Sequence, residues 1–424
     1  MDIKKWIKSS FPAPIVTMLR YFAHPYVMTR DWYLIKTQPL LHKRALARLK
    51  KKDGPINIVF FAIYASVWKY DALYKLLEAD SRFNPIVLVC PVVNRGREHM
   101  LETLNACYGI FKQRGYNVIC SYDETTNTYL DARSLNPDII FYTNPYKNLI
   151  DDRYYITQFR DIITCYAPYG YAISAAPTML FDQLLHNMVY VNFYETSIHK
   201  DLAMQYARNK GANVIVVGSL LSDEIVELAK ERRTDGKKII IWAPHHTIED
   251  DGFSCFCVYC DLILELMDTY KNQIYWVFKP HPLLKPKLYN HQDWGRDKTD
   301  AYYNVWHEVQ CGEIQEGDYS QLFVDSDAMI FDSISFMAEY YFTHNPSLFT
   351  VRTDKVYQKF NQFGIEVFNL LYHGSNRGEI IHFVEKVLAG EDSLKNERDI
   401  FFDKFLARKS ASNYVYEYIS SILL

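Results

Sequence analysis

Short apolar runs alternate with stretches of helical spacing along most of the chain, and this alternation restricts the possible folds more than any other feature. The run at residues 56–62, Ile-Asn-Ile-Val-Phe-Phe-Ala, is nearly continuous in apolar residues, as is typical of a strand buried on both faces of a parallel sheet. Strands that alternate with helices indicate doubly wound parallel sheets joined by right-handed crossovers. The predicted strands are residues 56–62, 86–93, 117–120, 138–143, 161–166, 188–193, 214–217, 238–243, 274–278, 310–314, 328–331 and 347–351.

The alternation breaks once, near residues 218–236, and then resumes. A charged stretch of helical pattern, residues 223–233, leads into Thr234-Asp235-Gly236 at this break, where Asp and Gly favour a turn. A chain of 424 residues is long enough for two or three domains of roughly 150 residues each. We therefore expect two α/β domains flanked by terminal segments. The expected segments are residues 1–54, 55–220, 221–380 and 381–424, the last as helices that pack back on the body.

Charge is distributed unevenly along the chain. Residues 1–52 contain twelve Lys or Arg and two acidic residues, so this segment carries +10 and the remainder carries −13. A basic segment on an acidic body suits an anionic membrane surface. On a helix, Ile3, Trp6 and Ile7 share one face with lysines flanking it. The alternative interpretation is a solvated helix that packs on the body.

Composition disfavours several locations and partners. The chain has no uncharged apolar run of ~18 residues, so we expect no membrane-spanning helix. Its first residues lack the apolar core of a secretory signal. We expect no nucleic acid partner, because the basic segment contains no recognisable binding module and the body is acidic. The expected location is the cytoplasm, peripheral on the inner face of the cell membrane.

The eight cysteines are scattered, and we expect them to be reduced thiols because the chain is long and has no export signal. Only Cys255, Cys257 and Cys260 lie close together. A structural zinc site needs a second cluster at matching spacing, and the sequence contains none. We therefore predict no metal site and no cofactor.

Polar side chains follow three strands of the second half at the point where each strand ends. His245 and His246 follow Ile-Ile-Ile-Trp-Ala-Pro, His281 follows Trp-Val-Phe-Lys-Pro, and residues 332–335 follow Ala-Met-Ile-Phe. In open parallel sheets, ligands bind beyond the carboxyl ends of the strands. The sequence therefore predicts that these groups lie along one edge of one sheet.

The turn Lys279-Pro280-His281-Pro282 is built to hold a histidine rigidly. Two prolines fix φ and prevent regular pairing around His281. An imidazole there can transfer protons near neutral pH or donate to a phosphate, and Lys279 adds positive charge. The alternative is a packed histidine in a turn that ends a strand. We expect at least one of the rings of His245 and His246 to point into the cleft. The alternative is that one of the two is a structural histidine.

The segment from Asp332 to Glu339 predicts a nucleotide-diphosphate site. A strand runs directly into Asp332, Ser333 and Ser335, where a helix is expected to begin with Asp332 as its N-cap. The start of a helix offers unpaired N–H groups and positive dipole density to a phosphate. Glu339, one turn later, is a candidate to bind a ribose hydroxyl of the nucleotide. The alternative is that it pairs with a neighbouring cation.

In the first half, Tyr166-Ala167-Pro168-Tyr169-Gly170 follows a predicted strand. Gly170 allows a backbone to approach a ligand closely. Tyr169 and Gly170 are therefore candidates for the facing wall of the cleft, on the acceptor side. An ordinary turn is the alternative.

At these residues the chain resembles the CDP-glycerol glycerophosphotransferase family of teichoic-acid and capsule polymerase-like enzymes. The motifs that carry the resemblance occur in order over roughly residues 138–352. They are Val217-Gly218 with Asp223, Trp242-Ala243-Pro244, Lys279-Pro280-His281-Pro282, and Ser326-Asp327 through Asp332, Ser333, Ser335 and Glu339 to Asn345-Pro346.

The resemblance implies a GT-B fold, in which two Rossmann-like doubly wound parallel-sheet domains flank a cleft. It also implies transfer of a polyol phosphate from a CDP-activated donor to a polymer or lipid-linked glycan at the inner membrane face. Carried over from the family, His281 would contact the donor phosphate or the reacting centre. Ser333, Ser335 and Glu339 would bind the nucleotide.

The chain departs from the family in one turn. The family usually has Trp-His-Gly-Thr in the first domain, with a histidine that is a candidate base, whereas this chain has Tyr166-Ala167-Pro168-Tyr169-Gly170. Either His245 or His246 supplies the base, or the donor and acceptor differ. Two alternatives follow: a GT-B glycosyltransferase that uses a nucleotide sugar, and a non-catalytic membrane-associated subunit of a polymer-assembly complex.

Overall fold

Two parallel sheets dominate the structure, a computed structural model that describes residues 13–229, 236–249, 252–317, 319–407 and 410–423. The first sheet has seven strands in the order β3-β2-β1-β6-β7-β8-β9, and the second has six in the order β12-β11-β10-β13-β14-β15. A short antiparallel hairpin, β4-β5, follows β3 in the chain and forms a separate two-stranded sheet. The strands are β1 Ile56–Ala62, β2 Phe83–Val89, β3 Val118–Cys120, β4 Tyr122–Asp123, β5 Thr128–Tyr129, β6 Ile139–Tyr142, β7 Ile163–Tyr166, β8 Val191–Tyr194, β9 Val214–Val216, β10 Lys238–Ala243, β11 Ile274–Phe278, β12 Gly312–Ile314, β13 Ala328–Phe331, β14 Ser347–Thr350 and β15 Tyr372–Gly374.

Helices connect the strands and flank both sheets. We call the first sheet with its helices the first lobe, and the second sheet with its helices the second lobe. The α-helices are α1 Ala13–Leu49, α2 Asp71–Glu78, α3 Arg97–Gln113, α4 Pro177–Phe181, α5 Leu184–Met188, α6 Ser197–Tyr206, α7 Leu220–Leu228, α8 Phe256–Thr269, α9 Leu284–Tyr289, α10 Gly295–Glu308, α11 Ser320–Asp325, α12 Phe336–Glu339, α13 Gln362–Phe368, α14 Arg377–Ala389, α15 Lys395–Phe405 and α16 Ala411–Ser421.

The predicted fold class is confirmed. Every predicted strand is present, and four have the predicted bounds: β1, β10, β11 and β13. The sequence patterns missed the hairpin β4-β5 and the edge strand β15, because each of these strands has only two or three residues. The first sheet ends at Val216 and the second begins at Lys238. The domain limits themselves stay predictions.

Register explains why polar groups far apart in sequence meet at one edge of the second lobe. β10 is central and pairs in parallel with β11 and β13, so that Trp242 lies opposite Phe278 and Ala243 opposite Phe331. The carboxyl ends of the three strands are therefore level. The His281 N–H also donates to the Pro244 carbonyl oxygen over 3.1 Å, which holds the turn after β11 against the turn after β10.

Helix α1 packs along the first lobe through a stripe of buried residues spaced three or four apart: Asp31, Ile35, Gln38, His42, Ala45 and Leu49. Gln38 Nε2 donates to the Arg160 carbonyl oxygen at 2.9 Å, and Arg48 donates to the Asp161 carbonyl oxygen at 2.6 Å. The predicted apolar face of Ile3, Trp6 and Ile7 lies outside the described residues. In the described part of the chain, no helix is both long enough and apolar enough to cross a membrane.

Backbone hydrogen bonds and the C-terminal helix join the two lobes. The Ala175 N–H donates to the Lys359 carbonyl oxygen at 2.7 Å, and the Asn361 N–H donates to the Ile173 carbonyl oxygen at 2.8 Å. After the second lobe is complete, α16 returns to pack on α2 and α7. The carboxylate of Asp223 accepts hydrogen bonds from the first N–H groups of α16, at Ala411 and Ser412.

Gly364 in α13 should be a sensitive position in this junction. A methyl group added there would lie 2.7 Å from the Ile173 carbonyl oxygen and 3.0 Å from Phe360 Cβ. We predict that Gly364→Ala lowers the free energy of unfolding by about 1–3 kcal/mol through overpacking. Gly109→Ala is the matched helical control, because no atom lies within 4 Å of the added methyl, and it should stabilise by up to about 1 kcal/mol. Urea denaturation of both variants tests this, and equal stabilities would contradict it.

Candidate active site

A cavity of about 470 Å³ lies between the lobes, and loops at strand ends form both of its walls. The first-lobe wall consists of residues that follow β1, β6, β7 and β8. The second-lobe wall consists of residues that follow β10, β11, β12 and β13. Of the predicted site residues, those that line the cavity are Tyr169, Gly170, Lys279, His281, Ser333, Ser335 and Glu339. The expected convergence on one cleft is therefore present, although His245, His246 and Asp332 are not among the lining residues.

Three histidine rings form a cluster at the second-lobe wall. The ring centroids of His245 and His246 are 4.2 Å apart, those of His246 and His281 are 4.3 Å apart, and those of His245 and His281 are 5.0 Å apart. All three side chains are partly buried. Because His281 lines the cavity and the other two do not, His281 is the member of the cluster placed to touch a ligand there.

Backbone donors fix the tautomers of two of these rings. The Leu283 N–H donates to His281 Nδ1 at 3.1 Å, and the Thr247 N–H donates to His245 Nδ1 at 3.3 Å. A ring nitrogen that accepts a hydrogen bond carries no proton, so the neutral ring bears its proton on Nε2. We infer that His281 Nε2 is a donor, which suits contact with an anionic oxygen.

The same cluster is the group of described residues that could hold a metal ion, since one nitrogen from each ring lies within 4.8 Å of the others. The tautomers fit a metal poorly. A neutral histidine that binds a metal through Nε2 carries a proton on Nδ1. At His281 that proton would face the Leu283 N–H donor. The three rings therefore fit an anion better than a cation, and the predicted absence of a metal stays a prediction.

Burial keeps these rings neutral. Burial, followed by the neighbouring His246, lowers the pKa of His245 to about 3 and that of His281 to about 4. Burial and the nearby Lys287 also lower the pKa of His246. At neutral pH the cluster therefore offers N–H dipoles rather than full positive charge. An anion that enters the cavity could accept a hydrogen bond from His281 Nε2.

Asp332 has a structural position rather than the predicted N-cap position. Its side chain is fully buried, and it accepts hydrogen bonds from the His245 N–H at 2.5 Å, the Cys255 N–H at 2.6 Å and the Thr350 hydroxyl at 3.1 Å. Ser335, not Asp332, occupies the N-cap of α12. The N-cap expectation is wrong because the carboxylate turns back beneath the sheet edge, where desolvation raises its pKa to about 7.

The helix expected after Asp332 is present but short. α12 has four residues and continues as the 3₁₀ helix Tyr340–Thr343. One turn of helix has little macrodipole, so any phosphate there would depend on hydroxyls and local N–H groups instead. Ser333 is buried at the cavity wall and Ser335 is exposed at its rim. Lys279 Nζ, also in the wall, donates to the Gly317 carbonyl oxygen at 2.8 Å.

Glu339 lies where the lobes meet. Its side chain is buried, and its Oε2 accepts a hydrogen bond from the Tyr319 hydroxyl at 2.6 Å. Lys69 of the first lobe donates to the same hydroxyl at 3.1 Å. Burial raises the pKa of Glu339, and Lys69 opposes that rise. The sequence patterns missed Lys69 and Tyr319, because the pairing depends on how the lobes dock.

On the first-lobe wall, Tyr70 holds the loop that contains Tyr169 and Gly170. The buried Tyr70 hydroxyl donates to the Tyr142 carbonyl oxygen at 2.9 Å and accepts from the Ala167 N–H at 2.9 Å. These two hydrogen bonds hold the backbone at the end of β6 against the backbone directly after β7. A methyl group added to Gly170 would lie 3.5 Å from Glu339 Oε1, an ordinary van der Waals contact, so this loop lies directly against that carboxylate.

Two further cavity residues were missed entirely. Glu195 follows β8, and His199 lies in the first turn of α6. Both are almost fully buried and both line the cavity. A signal was available, since Glu195 is a charged residue directly after a strand, like the residues after β10, β11 and β13.

Family comparison agrees with this architecture. The profile of CDP-glycerol:poly(glycerophosphate) glycerophosphotransferases matches residues 192–421, more than half of the chain. The chain belongs to this family. It is therefore a transferase of the CDP-glycerol glycerophosphotransferase type. The match includes the whole second lobe and begins inside the first, at β8. A search of curated protein sequences found no significant match.

Solved structures show the same fold at low sequence identity. The wall teichoic acid polymerase TagF with CDPG has a TM-score of 0.55 at 13% identity, with 93% of this chain and 97% of that chain covered. The UDP-GlcNAc 2-epimerase of Neisseria meningitidis bound to UDP-GlcNAc has a TM-score of 0.57 at 14% identity, with coverage of 86% and 99%. S. aureus MnaA with UDP has a TM-score of 0.54 at 13% identity, with coverage of 87% and 97%. The predicted GT-B fold is confirmed.

The lowered histidine pKa values predict a pH-dependent stability. His245 is held neutral in the folded state, so its contribution to stability is complete above pH 6.5 and is lost as the pH falls toward 3. We predict that lowering the pH from 7 to 5 reduces the free energy of unfolding of His245→Asn by about 2 kcal/mol less than that of the wild type. The Asn carbonyl oxygen can still accept a hydrogen bond from the Thr247 N–H. Chemical denaturation at both pH values measures the difference.

His382→Asn is the control for this comparison, because its side chain is 67% exposed on α14. It should follow the wild-type pH dependence. Identical pH dependence of His245→Asn and the wild type would show that the buried cluster does not resist protonation.

Proposed function

We propose that this protein transfers a polyol phosphate, glycerol phosphate, from a CDP-activated donor to a glycan or polymer acceptor in the synthesis of a bacterial surface polymer of the teichoic-acid or capsule type. The observation that carries the proposal is the interlobe cavity, where His281, Lys279, Ser333 and Ser335 converge at the ends of parallel strands. These are anion-binding side chains in a member of a glycerophosphotransferase family. The TagF structure, described with CDPG, has the same fold.

The second-lobe wall would bind the donor. The diphosphate would lie against His281 Nε2, with Lys279 supplying positive charge and the hydroxyls of Ser333 and Ser335 donating to phosphate oxygens. Glu339, whose Oε2 is bonded to Tyr319, would orient the nucleotide ribose through a hydroxyl. Asp332 would act indirectly, because it holds the loop that precedes the histidine cluster.

In phosphoryl transfer, positioning and charge stabilisation supply most of the catalysis. An acceptor hydroxyl from the first-lobe side would attack the phosphorus that carries glycerol, and CMP would leave. His281 would contribute most at that step, because negative charge develops on the leaving phosphate in a largely buried site. A hydrogen bond donated by His281 Nε2 would stabilise this charge. The mechanism assigns no step to a cofactor.

Two other functions predict different experimental results. A nucleotide-sugar glycosyltransferase would bind UDP- or GDP-sugars in the same cavity, so thermal shift with CDP-glycerol, CDP-ribitol and nucleotide sugars separates the donors. A non-catalytic subunit of an assembly complex would bind none of them productively. The position of His281 in the cavity favours catalysis over the second alternative.

The direct test is the variant His281→Ala. We predict that it lowers the rate of CMP release from CDP-glycerol in the presence of acceptor by about 100-fold or more, the usual cost of removing a group that stabilises the transition state. His307→Ala is the matched control, since His307 is exposed at the end of α10. It should retain wild-type turnover. Near wild-type turnover by His281→Ala with a confirmed donor would contradict the assignment.

We also propose that the protein is peripheral on the inner face of the cell membrane, with α1 at the surface of an anionic bilayer. The side of α1 that faces away from the first lobe exposes Trp32 at 60%, Tyr33 at 57% and Leu40 at 56%. Lys36 and Lys43 are exposed along the same helix. Aromatic and basic side chains together are typical of helices that lie in the bilayer interface.

Vesicle sedimentation tests this proposal. We predict that the protein binds vesicles that contain phosphatidylglycerol, that binding weakens as salt rises, and that the double variant Trp32→Ser, Leu40→Ser binds less. Ile400→Ser is the control, because Ile400 is 61% exposed on α15, away from α1. Equal binding to neutral and anionic vesicles, or unchanged binding by the double variant, would contradict it.

A further inference from the structure

Glu195 occupies an unusual position on the first-lobe wall of the cavity. It follows β8 directly, its side chain is only 4% exposed, and it lines the cavity. Its Oε2 has no hydrogen-bond partner among the described residues. A buried carboxylate oxygen without a partner is costly, so its presence in a residue that lines a ligand cavity points to a ligand group that completes the carboxylate.

The surroundings of Glu195 do not supply a compensating positive charge. His199 Nδ1 is 3.7 Å from Glu195 Oε2, but burial lowers the pKa of His199 to about 3, so that ring is neutral. Tyr171 and Tyr194 are the other titratable groups nearby on the first lobe, and burial raises the pKa of each. Glu339 faces Glu195 from the second lobe and disfavours its ionisation.

These surroundings make Glu195 a stronger base than an ordinary carboxylate. Burial, together with repulsion from Glu339, raises the pKa of Glu195 to about 8, although its own backbone N–H opposes the rise. A general base is most effective when its pKa is near the working pH. Lys69, in the cavity wall, opposes the rise in the pKa of Glu339 and is engaged with Tyr319.

We propose that Glu195 is the catalytic base that removes the proton from the acceptor hydroxyl. The inference rests on the proposed transfer reaction and supplies the first-lobe base that the turn at residues 166–170 lacks. His245 and His246 are worse placed, because neither is among the residues that line the cavity. His281 is on the opposite wall, and its Nε2 is the protonated nitrogen of the neutral ring.

The step balances as follows. The acceptor oxygen forms a bond to the phosphorus that bears glycerol, and its proton moves to the Glu195 carboxylate. The bond from that phosphorus to the bridging oxygen of the diphosphate breaks, and CMP leaves with the bond electrons. Glu195 then returns the proton to solvent. The step consumes only donor and acceptor.

The test is Glu195→Gln, which keeps the size of the side chain but accepts no proton. We predict that kcat falls by about 100-fold or more, while the KM for CDP-glycerol stays within about twofold because the donor lies on the other lobe. In the wild type, kcat/KM should rise about tenfold per pH unit up to about pH 8 and then level. Glu195→Asp should keep this rising limb at a lower kcat.

The possible outcomes distinguish a wrong base assignment from a wrong proposed function. If the wild type releases no CMP from CDP-glycerol or CDP-ribitol with any acceptor, the proposed function is wrong. If the wild type is active and Glu195→Gln keeps its turnover and rising pH limb, the function stands and the base assignment is overturned.

A stability measurement checks the same carboxyl without turnover. Because the pKa of Glu195 is raised from 4.5 to about 8 in the folded state, its favourable contribution to stability is complete below pH 4.5, declines as the pH rises, and is lost by about pH 8. The Tm of Glu195→Gln should therefore rise relative to that of the wild type as the pH increases from 5 to 9. A Tm difference that stays constant across this range would show that Glu195 does not titrate as a buried base, and would overturn the assignment.

Discussion

The buried carboxylate of Asp332 is the interaction on which the second-lobe wall depends. It binds the N–H of His245 beyond β10, the N–H of Cys255 at the start of α8, and the hydroxyl of Thr350 at the end of β14. One side chain thus joins three elements that are distant in sequence. Removal of the carboxylate would leave buried donors unpaired, which typically costs about 1–3 kcal/mol each. The positions of His245, His246 and His281 follow from this tie and from the level ends of the central strands.

The site is completed only when the lobes meet. The Lys69–Tyr319–Glu339 chain crosses the cleft, and Glu195 and Glu339 face each other from opposite lobes. The lobes therefore divide the chemistry. The second lobe presents neutral N–H and hydroxyl donors suited to a diphosphate, and the first lobe presents a buried carboxylate suited to an acceptor hydroxyl. The backbone bonds of residues 173–175 with residues 359–361 hold the two walls in register.

Much of this was predictable from the sequence, because long apolar strands and the groups at their ends are local signals. The four strands β1, β10, β11 and β13 and the convergence of Lys279, His281 and Ser333 were predicted from such signals. The role of Asp332 was not, because its partners come from three distant segments. Glu195 and the Lys69–Tyr319 contact were missed for a related reason: their importance depends on burial and lobe docking, which no single stretch of sequence encodes.

Hydrogen–deuterium exchange of the full chain with and without CDP-glycerol tests the central claim most directly, since it locates the donor without a substitution. The account predicts slower exchange in two second-lobe segments, residues 279–284 and 333–340, and in the first-lobe loop at residues 166–174. A second cavity lies on the first lobe, lined by residues that include Arg97, Arg153 and Phe159. Protection confined to that cavity, or no protection anywhere, would contradict a donor site between the lobes.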